Sequence, residues 1–423
     1  MVFWSWVANS YGGIARVPLK GRHVYLVSDP DLVYELLVTN RRRYRKNIRY
    51  KAAVDTFGEG VLLSEGDTWN RQRLMTQPAF KGQYVRAQVP AMAAITTRFL
   101  DVWAGAASNG RLTRDVEAEF LKLTQTLAGH YLMGPGFAAI DEPFHAAALA
   151  IKNNWPIPPR SVLALYKPKS KKRQTRLAAA LGTADACIRE YLDAQKKTDF
   201  ADAGVLGLLV RKSREQGDEY DAKALRDQFM SLFFAGHETS AMTLTWAHYL
   251  LWKHGDARVN LKKEVDSVLG TRQPTAADLD RLTYTECVLN ETLRLYSPIH
   301  SLSRVALEDD TIGGYTIPAG AMIYVSLYAI HRLPELWPDP DEFDPGRFLP
   351  ERSEGRPRFA FIPFAAGHRN CIGATMAVSE LKLVLALIAQ RFNLDLARGH
   401  KVRTSAETTM RPRFGMRMTI QEA

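Results

Sequence analysis

A chain of 423 residues, 46% hydrophobic and 24% charged, has the composition of a folded globular protein, which excludes wholesale disorder. Its three cysteines, Cys187, Cys287 and Cys371, are too few and too scattered for a disulfide framework or a zinc cluster, and a reducing, cytoplasmic setting is expected. The formal net charge of +11 invites a nucleic-acid reading, yet the basic runs at 41–51 and 167–176 sit in no groove-reading or base-stacking module, so no nucleic-acid partner is expected.

The first ten residues hold two tryptophans but no apolar stretch long enough for a signal peptide. Residues 15–19 and 23–28 alternate around Lys20-Gly21, which reads as a β-hairpin. A short helix is expected over 31–38 behind Pro30, then irregular sequence to Gly66. Trp69-Asn70-Arg71-Gln72-Arg73 opens a helical stretch, and Trp69 and Arg73, four apart, share a face. Apolar spacing is helical over 91–133 and 142–154, is broken by Pro156-Ile157-Pro158-Pro159, and resumes over 171–195. Cys187, in the middle of that last run, reads as packing.

The stretch 229–252 carries almost no charge and is long enough to span a bilayer. His237, Glu238, His248 and many Ser and Thr argue against lipid, so a helix through the middle of a globular core is expected. Its polar interruption is Ala235-Gly236-His237-Glu238-Thr239-Ser240. Thr239 could hold a proton and Glu238 could bring one from solvent. The structural alternative has Thr239 bonded back to a helical carbonyl and Glu238 paired with a cation. A further helix over 278–295 carries Glu291-Thr292-Leu293-Arg294, whose spacing lets Glu291 and Arg294 pair. Strands follow at 303–307 and 315–326 around Gly313-Gly314, then a proline-rich meander, and 408–420 reads as a terminal hairpin.

Near the C-terminus, Phe364 to Gly373 reads F-A-A-G-H-R-N-C-I-G, and an apolar-periodic run begins at Met376. Cys371 therefore lies on a loop feeding the N-terminus of a helix, where backbone N–H groups and the helix dipole favour a thiolate. Gly367 and Gly373 would let backbone approach something flat, and Arg369 offers a fixed cation. The chemical sense of the set is a thiolate poised beside a fixed cation. A buried structural cysteine is the alternative.

These residues resemble the cytochrome P450 family, whose pattern is F-x-x-G-x-R-x-C-x-G; Phe364, Gly367, Arg369, Cys371 and Gly373 match, and Ala365 stands where glycine is commoner. Ala235 to Thr239 is similar to the family's A-G-x-(D/E)-T. Glu291, Arg294 and, in Phe343-Asp344-Pro345-Gly346-Arg347-Phe348, Arg347 resemble its Glu-Arg-Arg lock, with Gly346 for a commoner glutamate. The resemblance implies a mainly α fold with a small β-rich subdomain (15–28, 303–326 and 408–420), and residues 1–423 as a single P450 domain. It implies heme b with Cys371 as iron ligand and Arg369, Phe364, Trp69, Arg73 and Arg304 around it. It also implies a substrate pocket touching Leu62, Ala235, Ile299 and Thr408, with Glu238 and Thr239 managing protons beside a planar cofactor. Members usually carry a longer leader before the first strand, so a late or trimmed start is expected.

The activity implied is monooxygenation: one oxygen atom of O2 enters a small apolar substrate, with electrons from a separate ferredoxin or flavodoxin and its NAD(P)H reductase. Arg71, Arg73 and Lys81 are candidates for docking that acidic carrier. A peroxygenase, isomerase or oxidative-coupling enzyme on the same heme-thiolate is the alternative, and a non-catalytic heme sensor or carrier is a third reading.

Overall fold

Long runs with apolar residues at helical spacing dominate the chain, and the computed structural model is correspondingly mainly helical with four small sheets among the described residues. It describes all residues except 1, 20–21, 48–50, 108–109, 156–170, 218–220 and 407. The Lys20-Gly21 turn, the Pro156 to Pro159 break and the start of the second basic run lie outside the described residues. In chain order the helices are α1 (Val2–Tyr11), α2 (Pro30–Tyr34), α3 (Lys51–Phe57), α4 (Gly66–Thr76), α5 (Gly82–Ala106), α6 (Val116–Met133), α7 (Asp141–Asn154), α8 (Lys171–Lys196), α9 (Gly204–Glu215), α10 (Ala222–Lys253), α11 (Gly255–Leu269), α12 (Ala276–Arg281), α13 (Thr283–Leu295), α14 (Leu327–Ile330), α15 (Pro350–Ser353) and α16 (Ala374–Arg391). The strands are β1 (Ile14–Leu19), β2 (Arg22–Val27), β3 (Tyr44–Lys46), β4 (Arg111–Asp115), β5 (Leu302–Ala306), β6 (Asp310–Ile312), β7 (Tyr315–Ile317), β8 (Met322–Val325), β9 (Phe392–Leu396), β10 (Thr404–Ala406), β11 (Met410–Pro412) and β12 (Arg417–Glu422). The chain forms two compact units, Met1–Tyr50 with Phe80–Phe120 and Thr239–Ala423, and Lys51–Ala79 with Leu121–Glu238.

In the first unit a five-stranded sheet runs β1-β2-β8-β5-β3, with only β2 and β8 parallel. Successive strand residues point to opposite faces, yet Val24, Tyr25, Leu26 and Val27 are all buried, so both faces are covered. Leu26 packs with Val7 and Ala8 of α1, while Tyr25 and Val27 pack with Val33, Leu36 and Ile323. Helix α1 was not expected from the sequence, because exposed Phe3, Trp6 and Tyr11 blur its one buried stripe. Asp29 caps α2 by accepting from the N–H groups of Asp31 and Leu32. Part of the first basic run is used up locally. Arg43 donates to Asp310 at 2.5 Å, and the Tyr44 hydroxyl donates to the same buried carboxylate at 2.6 Å.

Three other expectations about elements are corrected. The helical stretch over 91–133 is α5, then β4, then α6. The expected hairpin over 408–420 is a hairpin of β10 with β11, whereas β12 pairs with β4 and β9 in a separate three-stranded sheet. Period-2 spacing identifies a strand but not its partner, which is why the pairing was misread. The expected helix over 278–295 is divided at Leu282 into α12 and α13.

The second unit is helical. Phe137, Phe144, Phe229 and Phe233 form its aromatic centre, with Phe144 and Phe233 edge-on at 4.9 Å between centroids. Arg173 on α8 donates to the carbonyl of Asn154 at the end of α7, so one described cation of the second basic run is structural. Among the described residues no helix is long and apolar enough to cross a membrane.

Candidate functional site

In the first unit the cysteine loop is fixed by its own backbone. The N–H of Cys371 donates to the carbonyl of Phe364 at 2.8 Å, and that of Asn370 to Gly367 at 3.1 Å. Gly367 has φ +71°, and a Cβ there would lie 2.2 Å from the carbonyl oxygen of Leu37. Its glycine thus serves packing on the chain's own backbone. A Cβ on Gly373 would make only ordinary contact, 3.8 Å from Phe80 and 4.0 Å from the Cys371 sulfur. Ala365 carries φ +56°, a conformation costing an L-residue about 1–2 kcal/mol.

What holds this loop is traceable to α13. Arg294, fully buried, donates twice to Glu291 at 2.7 Å, and Arg347 pairs with the same carboxylate at 3.4 Å. Arg294 also donates to the carbonyls of His331, Pro340 and Glu342. His331 accepts at Nε2 from the N–H of Ile362 at 3.1 Å, and the Ile362 carbonyl accepts from Ala365 at 3.0 Å. The imidazole can accept only if neutral with its proton on Nδ1. Burial and the neighbouring guanidiniums of Arg294 and Arg332 hold its pKa down to about 3. A continuous series of bonds therefore runs from Glu291 to the backbone that ends at Cys371. The spacing of Glu291 and Arg294 was legible in the sequence; the linking His331 was not.

Helix α10 carries the other motif. His237 is buried, its pKa lowered to about 4 by burial, and its Nδ1–H donates to the Phe233 carbonyl at 2.8 Å. The Thr124 hydroxyl donates to the His237 carbonyl at 2.9 Å, an extra bond within the helical ladder. Glu238 meets Lys152 of α7 at 3.7 Å, with side chains 17% and 12% exposed, so the cation of the structural alternative exists and comes from another helix. Ala235 is exposed, and a Cβ on Gly236 would meet nothing within 4 Å. Thr239 is half-buried, and its carbonyl accepts from the Thr243 hydroxyl at 2.9 Å.

Next to Thr239, Ser240 donates to a group the sequence did not single out. Glu380 on α16 is 2% exposed, its Oε1 has no partner among the described residues, and burial pushes its pKa up to about 8 against the pull of the Ser240 hydroxyl. It lies nine residues beyond Cys371, amid an apolar run whose periodicity gave no reason to expect a titratable group. At neutral pH it is a buried, largely protonated acid beside the Thr239-Ser240 turn.

Among the other expected residues, Phe364, Arg369, Ile299 and Arg304 are half-buried in the first unit and Thr408 is exposed between β10 and β11. The Ile299 and Thr408 segments are tied together. Met410 N–H donates to the Pro298 carbonyl at 2.9 Å, and Trp246 of α10 donates to the Met410 carbonyl at 3.2 Å. Trp69 is buried and Arg73 half-buried on α4 in the second unit, with Leu62 exposed in the loop before them. Of the three cysteines, burial raises the pKa of Cys187, and that of Cys287 to about 11; only Cys371 is an exposed residue, just ahead of a helix. A soft sulfur on an exposed residue followed by a helix N-terminus, with a guanidinium two residues earlier, is donor chemistry that fits a heme iron.

Comparison with known proteins bears on the chain as a whole. The family model described as Cytochrome P450 matches residues 2–419. The cyclooctatin synthase of Streptomyces melanosporofaciens is 34% identical, covering 95% of this chain and 87% of its own. The cyclooctat-9-en-7-ol 5-monooxygenase of the same organism is 33% identical over 91% of this chain and 83% of its own. Among solved structures, the cytochrome P450DA heme domain superposes with a TM-score of 0.86 at 26% identity, covering 97% of this chain and 90% of that one.

Proposed function

The chain belongs to the cytochrome P450 family and is a heme-dependent oxidoreductase of that family, and on this premise we propose that it places one oxygen atom of O2 into a C–H or C=C bond of a small apolar substrate. When bound, heme b held by a thiolate supplies the activation of dioxygen. Cys371 would hold the iron, and Arg369, Arg304, Arg73 and the Trp69 indole are the donors suited to its carboxylates. Phe364 would shield the sulfur side. The observation that carries the reading is the exposed Cys371 on a loop fixed through Phe364 and, by way of His331, to the buried Glu291 group.

Thr239 offers a hydroxyl to orient a proton at the reacting oxygen, and Glu238, beside Lys152, exchanges protons with solvent. Glu380, protonated at neutral pH, keeps a second proton beneath Ser240. Exposed Ala235 and half-buried Ile299 are apolar surfaces for substrate, with Leu62 and Thr408 at further points of the chain. One relative is named a cyclooctatin synthase and another a cyclooctat-9-en-7-ol 5-monooxygenase, which supports a cyclic substrate class. Electrons come from a separate ferredoxin or flavodoxin with its NAD(P)H reductase in the reducing cytoplasm that three scattered cysteines suit. Exposed Arg71 and Lys81 are offered to that acidic carrier, so reduction slows as salt rises.

The decisive experiment is the carbon monoxide difference spectrum of the reduced protein, with and without Cys371→Ser. A thiolate-type band that disappears in the variant is expected; a variant with the same spectrum and turnover sinks the proposal. Dependence of turnover on NAD(P)H and a carrier separates monooxygenation from peroxygenase or isomerase chemistry.

A further inference from the structure

The second unit holds a buried polar face that the chemistry above does not use. Asp227, Gln228 and Ser231 lie within about one turn of α10 and are 4%, 0% and 0% exposed. All three bear on the backbone of residues 56–61. The N–H of Glu59 donates to Asp227 at 3.1 Å, that of Val61 to Gln228 Oε1 at 3.2 Å, and Arg226 donates to the Thr56 carbonyl at 3.1 Å. Two glycines make the approach feasible. A Cβ on Gly58, at φ +78°, would stand 2.0 Å from the Asp227 carboxylate, and one on Gly60 would stand 2.2 Å from the Ser231 hydroxyl. From α4, Gln72 donates to the Glu59 carbonyl at 2.8 Å and accepts from the Ser64 hydroxyl at 2.7 Å.

This clamp is not what stability alone would select. Among the described residues Gln228 Nε2 and Ser231 Oγ are buried without partners, and orphaned polar groups of this kind are unfavourable. An apolar face of the same shape would avoid that cost but would leave the Glu59 and Val61 N–H groups without their acceptors Asp227 and Gln228. The held segment begins and ends at side chains suited to substrate. The Phe57 ring lies 4.7 Å from Phe234 and 4.9 Å from Trp155 between centroids, and Phe234 immediately precedes exposed Ala235. Leu62, directly after Val61, is 40% exposed.

Resting on the P450 reading, we infer that Asp227, Gln228 and Gln72 are positioning residues: they fix the 56–62 loop and thereby set where Phe57 and Leu62 stand for a bulky apolar substrate beside Ala235. They touch no reacting atom themselves; their effect is selectivity by size.

The test uses the full-length, heme-loaded protein and Gln228→Met, which keeps an unbranched side chain but removes the acceptor. Amide hydrogen exchange is measured over residues 57–63, and imidazole and phenylimidazole are titrated as small and bulky iron-binding probes. Loop exchange should quicken about tenfold, the weight of one hydrogen bond. Imidazole affinity should stay within about twofold and phenylimidazole affinity should change about tenfold. Asp227→Asn, which retains an oxygen for the Glu59 N–H, should fall between wild type and Gln228→Met. Gln72→Met, acting on the same loop from α4, should reproduce the discrimination between probes. Unchanged loop exchange overturns the proposal, and so does faster exchange with both affinities unchanged or altered alike. A wild-type protein lacking the thiolate carbon monoxide band would defeat the P450 reading instead, while loop exchange would still report on the clamp.

Discussion

Two glutamates of the first unit are buried to nearly the same degree and are treated in opposite ways. Glu291 receives Arg294 through both oxygens, Arg347 from the side and the N–H of Asp344 at 3.0 Å. Glu380 receives a single hydroxyl from Ser240 and leaves Oε1 without a partner among the described residues. A buried carboxylate with a full complement of donors is a fixed joint, because removing any member strands a charge. A buried carboxyl with one weak donor keeps its proton and can exchange it, which makes it useful to chemistry and a liability to stability. The contrast separates the part of the molecule that holds the cysteine loop from the part that can move protons.

The contrast breaks most sharply at Glu291. Glu291→Gln leaves two buried guanidiniums without their anion, and a loss on the order of 3–5 kcal/mol is expected in denaturant unfolding. A loss below about 1 kcal/mol would mean that the joint is not structural. Next comes Glu380→Gln. The unfolded carboxyl titrates near 4.5 and the folded one at about 8, so folding binds the proton more tightly. The protonated form's contribution is complete below about pH 4.5 and is lost as pH rises through about 8, at about 1.4 kcal/mol per tenfold change in proton affinity. Melting temperature against pH should therefore fall across this window in the wild type and be flatter in Glu380→Gln. Parallel curves would refute the assignment.

Ser240→Ala removes the one donor that favours ionised Glu380, so the same transition should move to higher pH, with a stability cost of about 1 kcal/mol. A transition shifted to lower pH would show that another donor controls Glu380. The smallest effect is expected on the held loop. Ala365→Gly relieves a left-handed alanine at the expense of a freer unfolded chain, for a net gain of about 0.5–1 kcal/mol. A destabilised Ala365→Gly would mean that the methyl group packs better than its backbone suffers.

What could be read from the sequence was whatever lies close along it. The Glu291 and Arg294 spacing, the Ala235 to Thr239 interruption and the Cys371 loop are all short motifs, and the mainly α fold follows from helical periodicity. The family pattern also placed Ala365 at a position where glycine is commoner, and its positive φ shows the physical reason. Lys152, Glu380 and Gln228 escaped because their importance comes from a partner 86, 140 or 167 residues away, which no local period encodes. The terminal strands were misassigned for the same reason, since β12 joins β4 across more than half the chain.

Helix α10 is one unbroken element from Ala222 to Lys253. It bears the loop clamp near its start, Glu238 and Thr239 in its middle, and Trp246 on the Met410 strand beyond. One inserted residue between Ser231 and Ala235 would turn everything downstream by about 100° and shift it by about 1.5 Å. These three stations can thus be retuned one at a time by substitution, whereas an insertion or deletion between them changes their register together.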